Sequence, residues 1–195
     1  MQIDIRRAPT YNSASLPAET PSFFVVSARK FSIMMALTLG YYLLYWTYAN
    51  WRRFKKASGQ SIMPFWRTLF MPFFHYSLVM HVDKKIVGMR RQFNWSPGLL
   101  AIASIFIWCL SLLPVEVPLE GLFKLVLLLT VQIGLLVRVQ HAINFCEGDP
   151  RGDGNSALTF ANWLWIFIGL IQWLGIIASV LLIHGYDFYD FGIYD

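Results

Sequence analysis

The chain has 195 residues, of which 56% are hydrophobic, 17% are aromatic and only 14% are charged, and its formal net charge is +5. A soluble domain of this length would expose more polar surface, so the composition predicts one compact integral membrane bundle. The positive charge does not indicate nucleic acid, because the cations stand between apolar segments. Anionic lipid headgroups are the expected partner of cations placed there.

The chain begins with a predicted mobile tail, residues 1–30, which is rich in Ser, Thr and Pro and lacks the apolar core of a signal peptide. The first predicted span, 31–51, is uncharged, and at about 1.5 Å per residue it matches the hydrocarbon thickness of roughly 30 Å. An alternative is a re-entrant hairpin that turns at Gly40 and keeps the N-terminus on its starting side. Each arm would then be shorter than a span requires, so the sequence favours a single crossing.

Three further apolar segments predict spans, at 97–113, 121–141 and 163–183. The short connection between the first two of these contains Glu but no Lys or Arg, so they should form a hairpin that points away from the cytoplasm. The fold class is therefore an all-α integral membrane protein, with four transmembrane helices over 31–184 and an acidic and aromatic tail over 185–195.

A basic stretch fixes the predicted orientation. Nine of the sixteen Lys and Arg residues lie between positions 52 and 91. Since Lys and Arg near the ends of spans favour the cytoplasm, this stretch should be cytoplasmic and both termini should lie on the other side. The expected location is a bacterial inner membrane, as a multi-pass protein. The residues predicted to bind lipid are Arg52, Arg53, Lys55, Lys56, Arg67, Lys84 and Lys85 as headgroup contacts, with Trp51 and Trp66 as interfacial anchors.

A further apolar segment, 62–82, contains polar residues that argue against a fifth span. At 100° per residue, Arg67 and His75 fall on one half of the helical circumference and Phe73 falls on the other. This pattern predicts an interfacial amphipathic helix, kinked at Pro72. A helix packed on the cytoplasmic end of the bundle, without lipid specificity, is the alternative.

Buried amides are a second set of candidate residues, because an amide in hydrocarbon needs a partner. Gln132 and Gln172 lie in the middle of two spans and are expected to hydrogen-bond each other, with a substrate path as the alternative. Asn144 and Asn162 are expected to cap helix ends or bind loop backbone. A pair of small residues beginning at Gly175 could allow close helix approach, within one subunit or between two.

Motifs that would carry catalytic chemistry are absent from the sequence. The four predicted spans contain no Asp or Glu, and there is no glycine-rich phosphate loop, nucleophile elbow or zinc-binding His-Glu-x-x-His pair. The two cysteines have neither metal-site nor redox-pair spacing. We therefore expect no metal and no cofactor, and we assign no catalytic residue.

Two regions carry a resemblance to a known group. They comprise 45–56 (YWTYANWRRFKK) with 62–67 (IMPFWR), and 139–144 (VQHAIN) followed by Asp149-Pro150, Asn155 and Asn162-Trp163. Together they resemble small bacterial integral-membrane proteins of the domain-of-unknown-function type. The resemblance covers roughly 40–163 and implies a membrane location without an activity.

The sequence thus favours a non-enzymatic lipid-binding, protein-binding or accessory membrane component with a basic cytoplasmic face. The expected partners are anionic lipid and either another membrane protein or further copies of the chain in a homo-oligomer. The alternative is a lipid-modifying enzyme or a carrier of lipids or small molecules. That alternative requires a cavity at the cytoplasmic end of the bundle, lined by Arg67, His75, Gln132, His141 or Asn144.

Overall fold

The computed structural model describes residues 21–114 and 118–190, without the side chains of 118 and 184–190. The described part is helical and contains no strand, which confirms the all-α prediction. Its helices are α1 (Ala28–Leu37), α2 (Tyr42–Ser58), α3 (Pro64–Leu69), α4 (Met71–Gly88), α5 (Pro97–Ser111), α6 (Pro118–Cys146) and α7 (Phe160–Asp190). The predicted tail at 185–195 is helical up to Asp190, and the rest of it lies outside the described residues.

The first apolar run is a helical hairpin, so the single helix predicted over 31–51 is wrong. The chain reverses between α1 and α2, where Leu39 and Gly40 have φ angles of 53° and 83°. The Thr38 hydroxyl donates to the Met34 carbonyl and accepts from the Tyr42 amide, at 2.6 and 3.0 Å. Because one side chain caps both helices, the turn leaves few backbone groups unsatisfied in an apolar environment.

The segment 62–82 is also broken, so the predicted single helix kinked at Pro72 is wrong. The break lies at Phe70, between α3 and α4. The α4 end near this break lies deep in the bundle, because the Thr47 hydroxyl is 3.2 Å from the Met71 sulfur. Thr47 is roughly 16 Å below the end of α2, at about 1.5 Å per residue. From there α4 returns to the level of the α2 end, so α3 and α4 form a second hairpin.

In this second hairpin the polar side chains face the interior and the apolar side chains face outward, which is the reverse of a helix at the surface of a soluble protein. His75 is buried, at 4% exposure, whereas Phe65, Leu69 and Phe73 are exposed. An exposed apolar face of this kind suits contact with lipid, while the polar side chains turn toward α2.

The three remaining predicted segments are single helices, α5, α6 and α7. Two apolar stretches, Leu119–Cys146 and Phe160–Ile183, are long enough to cross a membrane, and only 17% of the most apolar window of each is buried. The core helix of a soluble protein would be mostly buried. The helix α5 is apolar but has 15 residues, so its length alone does not identify a span.

The N-terminal part of the described chain lies at the end of the bundle where α2 and α6 finish. The Phe23 amide donates to Glu147, just beyond α6, and the Phe24 amide donates to Asn50 near the end of α2. Since α7 begins at this same end and runs away from it, the two ends of the described chain are at opposite ends of the bundle. The prediction that both termini lie opposite the basic stretch is therefore wrong for residues 21–27.

Candidate functional site

Most exposed cations of the basic stretch gather at one end of the bundle. We call it the basic end; it contains the C-termini of α2, α4 and α6 and the N-termini of α5 and α7. The cations that are exposed there are Arg52, Lys55, Lys56, Lys84, Arg90 and Arg91. Of the nine cations between 52 and 91, only Lys85 forms a salt bridge within the described residues, to Glu147 at 2.9 Å. The basic end therefore carries positive charge that the described carboxylates do not neutralise.

Three of the predicted lipid contacts instead pack against other side chains of the protein. Trp51 is fully buried, so its prediction as an interfacial anchor is wrong. The Arg67 guanidinium group lies over the Trp51 ring, with its central carbon 4.3 Å from the ring centroid, which is a cation–π geometry. Arg53 lies in the same way over Phe24, at 4.5 Å. Trp66 is 50% exposed and remains a candidate anchor.

A groove of about 590 Å³ lies between the start of α5 and the last turns of α6. It is lined by two exposed side chains of α6, Arg138 and His141, and by aromatic and aliphatic residues that include Phe93, Leu99 and Phe145. Arg138 is roughly 30 Å from the far end of α6 at about 1.5 Å per residue, a distance that matches the hydrocarbon thickness. The groove thus places a guanidinium and an imidazole beside an apolar wall.

An extended segment, residues 22–27, lies at the basic end and is held in place by side-chain amides. Asn144 donates to the Val26 carbonyl at 2.9 Å and accepts from the Val26 amide at 3.4 Å. Gln140 donates to the Phe24 carbonyl at 3.0 Å and accepts from the indole N–H of Trp46. A buried extended segment has no neighbouring strand here, so these amides replace the missing backbone partners.

Charged and polar groups from the α6–α7 loop hold the ends of the same segment. Glu147 accepts from the amides of Ser22 and Phe23, and the Asn155 side chain donates to the Val25 carbonyl. The Lys30 ammonium donates to the Asn155 side chain and to the Ala157 carbonyl, each at 2.7 Å. The mobile tail predicted over 1–30 is therefore wrong for residues 22–30, and residues 1–20 lie outside the described part.

Gly152 in the α6–α7 loop touches the backbone of the extended segment. A Cβ atom at this position would lie 2.6 Å from the Val26 carbonyl oxygen and from the Ser27 nitrogen, and the φ angle is +70°. We expect Gly152→Ala to push the loop away from residues 22–27 and to cost about 2–4 kcal/mol of unfolding free energy from overpacking and backbone strain together. Thermal unfolding in detergent measures this loss.

Gly148→Ala is the matched control for the Gly152 variant. Gly148 also has a positive φ angle, of +81°, but an added Cβ would meet no atom within 4 Å in the part of the chain that the structure describes. It should therefore show the strain alone, of about 1–2 kcal/mol. Equal losses in the two variants would contradict the backbone contact.

The same loop is ordered by one carboxylate. Asp149 accepts hydrogen bonds from the amides of Asp153 and Gly154, at 3.0 and 2.9 Å. The Gly154 amide and then the other loop amides hold the pKa of Asp149 below its usual value. The turn at 149–155 is therefore a hydrogen-bonded loop that presents Asn155 to Lys30 and Val25.

The structure contradicts one prediction about the side-chain amides and agrees with another. Gln172 is exposed and the Gln132 Oε1 atom has no partner within the described residues, so the predicted hydrogen bond between them is wrong. Asn162 does cap a helix, because its side chain accepts from the amide and hydroxyl of Thr159 at 3.0 Å each, before α7.

The residues suggested for a single catalytic cavity are distributed over four places. Arg67 covers Trp51, Asn144 holds the extended segment and His141 lines the groove. Only His75 and Gln132 share a cavity, which lies deeper in the bundle. Sequence reasoning did not identify Glu147 as a site residue. Its only sequence signal is that a carboxylate directly follows a long, mainly apolar helix.

Comparison with known proteins gave no match, either to a protein family, to a curated protein or to a solved structure.

Proposed function

We propose that this chain is a multi-pass membrane protein that binds anionic phospholipid at its basic end, with that end facing the cytoplasm of a bacterial cell. In this proposal α5, α6 and α7 cross the bilayer, and the two hairpins enter from the cytoplasmic side and leave on it. The chain acts as a non-enzymatic lipid-binding component.

The observation that carries the proposal is the unneutralised charge at the basic end. Four exposed cations, Arg52, Lys55, Lys56 and Lys84, have no carboxylate partner within the described residues. In water such charges are hydrated at little cost, but close to an anionic leaflet each contributes about 1 kcal/mol of attraction. Trp66 of α3, which is 50% exposed, adds an aromatic side chain of the kind that anchors at a membrane interface.

The groove between α5 and α6 supports a defined headgroup position. Arg138 offers a bidentate fork that matches a phosphate, and His141 is one helical turn further along α6. Beside them, Leu99, Phe93 and Phe145 form an apolar wall for an acyl chain. The α5 helix begins at this groove, and the Ser96 side chain makes no capping hydrogen bond, so the helix dipole adds a partial positive charge.

The topology is consistent with the charge distribution along the chain. With both hairpins entering and leaving at the basic end, Arg29 and Lys30 lie on the same side as the stretch 52–91. The conflict between the N-terminal cations and the basic stretch, present when 31–51 crosses the membrane, therefore disappears.

Native mass spectrometry with added phosphatidylglycerol or phosphatidylcholine tests the proposal. We expect preferential retention of phosphatidylglycerol. In a variant with Arg52, Lys55, Lys56 and Lys84 replaced by Gln, fewer molecules should be retained. Arg138→Gln should weaken the tightest site by about fivefold to tenfold, which corresponds to roughly 1 kcal/mol or slightly more for one cation.

Arg151→Gln provides the matched control for Arg138→Gln. Arg151 is exposed and already paired with Asp153 at 2.9 Å, so its loss changes the net charge equally without removing a free cation. We expect its phosphatidylglycerol retention to equal that of the unmodified protein. Equal retention of the two lipids, or equal losses in both Arg variants, would contradict the proposed site.

A further inference from the structure

Three buried polar atoms that have no hydrogen-bond partner among residues 21–114 and 118–190 surround one small cavity deep in the bundle. They are His75 Nε2, Ser104 Oγ and Gln132 Oε1, from α4, α5 and α6. His75 and Ser104 are only 4% and 2% exposed. An unpaired buried polar group costs about 1–3 kcal/mol, and three that converge from separate helices indicate a missing hydrogen-bonding group.

The small cavity adjoins a larger one at the tips of the two hairpins. The small cavity measures about 10 Å³ and the larger about 380 Å³. Both are lined by Leu43, Met71, Trp108 and Gln132, so the polar atoms stand at the inner end of a mainly apolar chamber. A volume of this size lies within the usual range of small-molecule pockets, roughly 300–1,000 Å³.

The charge of the lining excludes an ionic head at the inner end. No Asp or Glu lines either cavity among the described residues, and the one lysine, Lys124, already donates to the Leu113 carbonyl. An ion held beside His75, Ser104 and Gln132 would lack a counter-ion in a low-dielectric environment. The head group that fits is therefore neutral.

The hydrogen-bonding needs of the three unpaired atoms further restrict which neutral head group fits. The Gln132 oxygen needs a donor, the Ser104 hydroxyl donates and accepts, and the His75 nitrogen does either according to its tautomer. A hydroxyl group both donates and accepts, whereas a ketone or ester only accepts. We propose that the paired cavities bind an uncharged lipid-like alcohol, whose hydroxyl meets His75, Ser104 and Gln132 and whose hydrocarbon body fills the space between the hairpin tips.

Photo-crosslinking with two matched probes tests this inference on the full-length protein in nanodiscs. One probe is a hexadecanol that carries a diazirine, and the other is the corresponding alkane without the hydroxyl. We expect the alcohol to label 39–44 and the region of Met71 in a saturable manner, and the alkane to label them weakly. Peptide mass spectrometry locates the adducts.

Gln132→Leu should weaken saturable labelling by about fivefold to tenfold, the loss of one hydrogen bond of roughly 1 kcal/mol or slightly more. The substitution removes a buried atom that has no partner, so the variant should fold and its unliganded melting temperature should not fall. Gln172→Leu is the matched control, because Gln172 is exposed on α7. Its labelling should equal that of the unmodified protein.

Three results would overturn the inference. The first is equal labelling by alcohol and alkane, and the second is labelling confined to the exposed face of α7. The third is labelling that never saturates, which would indicate that the small cavity holds only water. None of these results depends on the basic end, so a failure here would leave the phosphatidylglycerol proposal standing, and the reverse also holds.

Discussion

Replacing Gly169 with alanine is expected to lower the stability of the folded protein strongly. A Cβ atom on Gly169 would lie 2.0 Å from the Leu37 carbonyl oxygen and 2.9 Å from the Thr38 Cα atom. Both neighbours are backbone at the tip of the first hairpin, so they cannot yield as a flexible side chain would. Overpacking of this kind costs about 1–3 kcal/mol of unfolding free energy and sometimes more. Here the displacement of α7 would also break a nearby hydrogen bond.

That hydrogen bond joins the Trp173 indole N–H to the Ala36 carbonyl at 3.0 Å. Ala36 is in the last turn of α1, where carbonyl groups lack helical partners. Displacing α7 would leave this carbonyl with only the 3.4 Å hydrogen bond from the Leu39 amide. It would also leave the Trp173 indole N–H without its partner, which adds about 1–3 kcal/mol to the loss. Fluorescence-detected size-exclusion chromatography after heating should report a sharp fall in the melting temperature of Gly169→Ala.

The control for this variant is Gly175→Ala in the same helix. An added Cβ at Gly175 would meet no atom of the described residues within 4 Å. Because alanine favours a helix over glycine by about 1 kcal/mol, this variant should be as stable as the unmodified protein or slightly more stable. Similar melting temperatures for the two variants would refute the close contact between α7 and α1.

The second large effect is expected from Gln140→Ala, which removes the centre of the amide cluster. Gln140 is fully buried and bonds the Trp46 indole, the Phe24 carbonyl and the Asn144 side chain. Truncation leaves the Trp46 indole N–H and the Phe24 carbonyl without these partners, at about 1–3 kcal/mol for each, whereas Asn144 keeps its hydrogen bond from the Val26 amide. We expect a loss of about 3–5 kcal/mol and early release of residues 22–27.

Hydrogen–deuterium exchange measures that release directly. The amides of Phe24 and Val26 should exchange faster in Gln140→Ala, while those in the middle of α6 keep most of their protection. Gln92→Ala changes an exposed glutamine and should leave both regions unchanged. Unchanged exchange at residues 22–27 in Gln140→Ala would show that the cluster does not hold the segment.

The sequence predicted the helices of the second half of the chain well. The segments 97–113, 121–141 and 163–183 correspond to α5, α6 and α7, with extensions of a few residues at most ends of α6 and α7. These helices are continuous apolar runs bounded by proline or polar turns, and such boundaries are local signals. The sequence disfavours a turn at Gly40, because each arm is shorter than a membrane span. A hairpin that enters and leaves on one side does not need arms of that length.

The first half of the chain was predicted less well, because an apolar or aromatic side chain does not show in the sequence which other helix it will pack against. Trp51 stands in an aromatic cluster typical of a membrane boundary, yet it is buried beneath Arg67. His75 was placed on a polar face that should meet solvent or headgroups, yet it faces the interior. In both cases a partner from another helix decided the direction of the side chain, and no local pattern contains that information.

The sequence by itself determined the helical class, the long apolar helices and the concentration of cations between positions 52 and 91, because composition and hydropathy are properties of local chain. Only the tertiary structure decided that the apolar runs 31–51 and 62–82 turn back. In the first of them, the turn depends on Thr38, which caps both helices, and on Gly169 of α7, where the absence of a side chain leaves room for the hairpin tip. The tertiary structure also decided the place of residues 22–27, because the amides that hold them come from Asn50, Gln140, Asn144 and Asn155. Most of these partners are more than a hundred residues away along the chain.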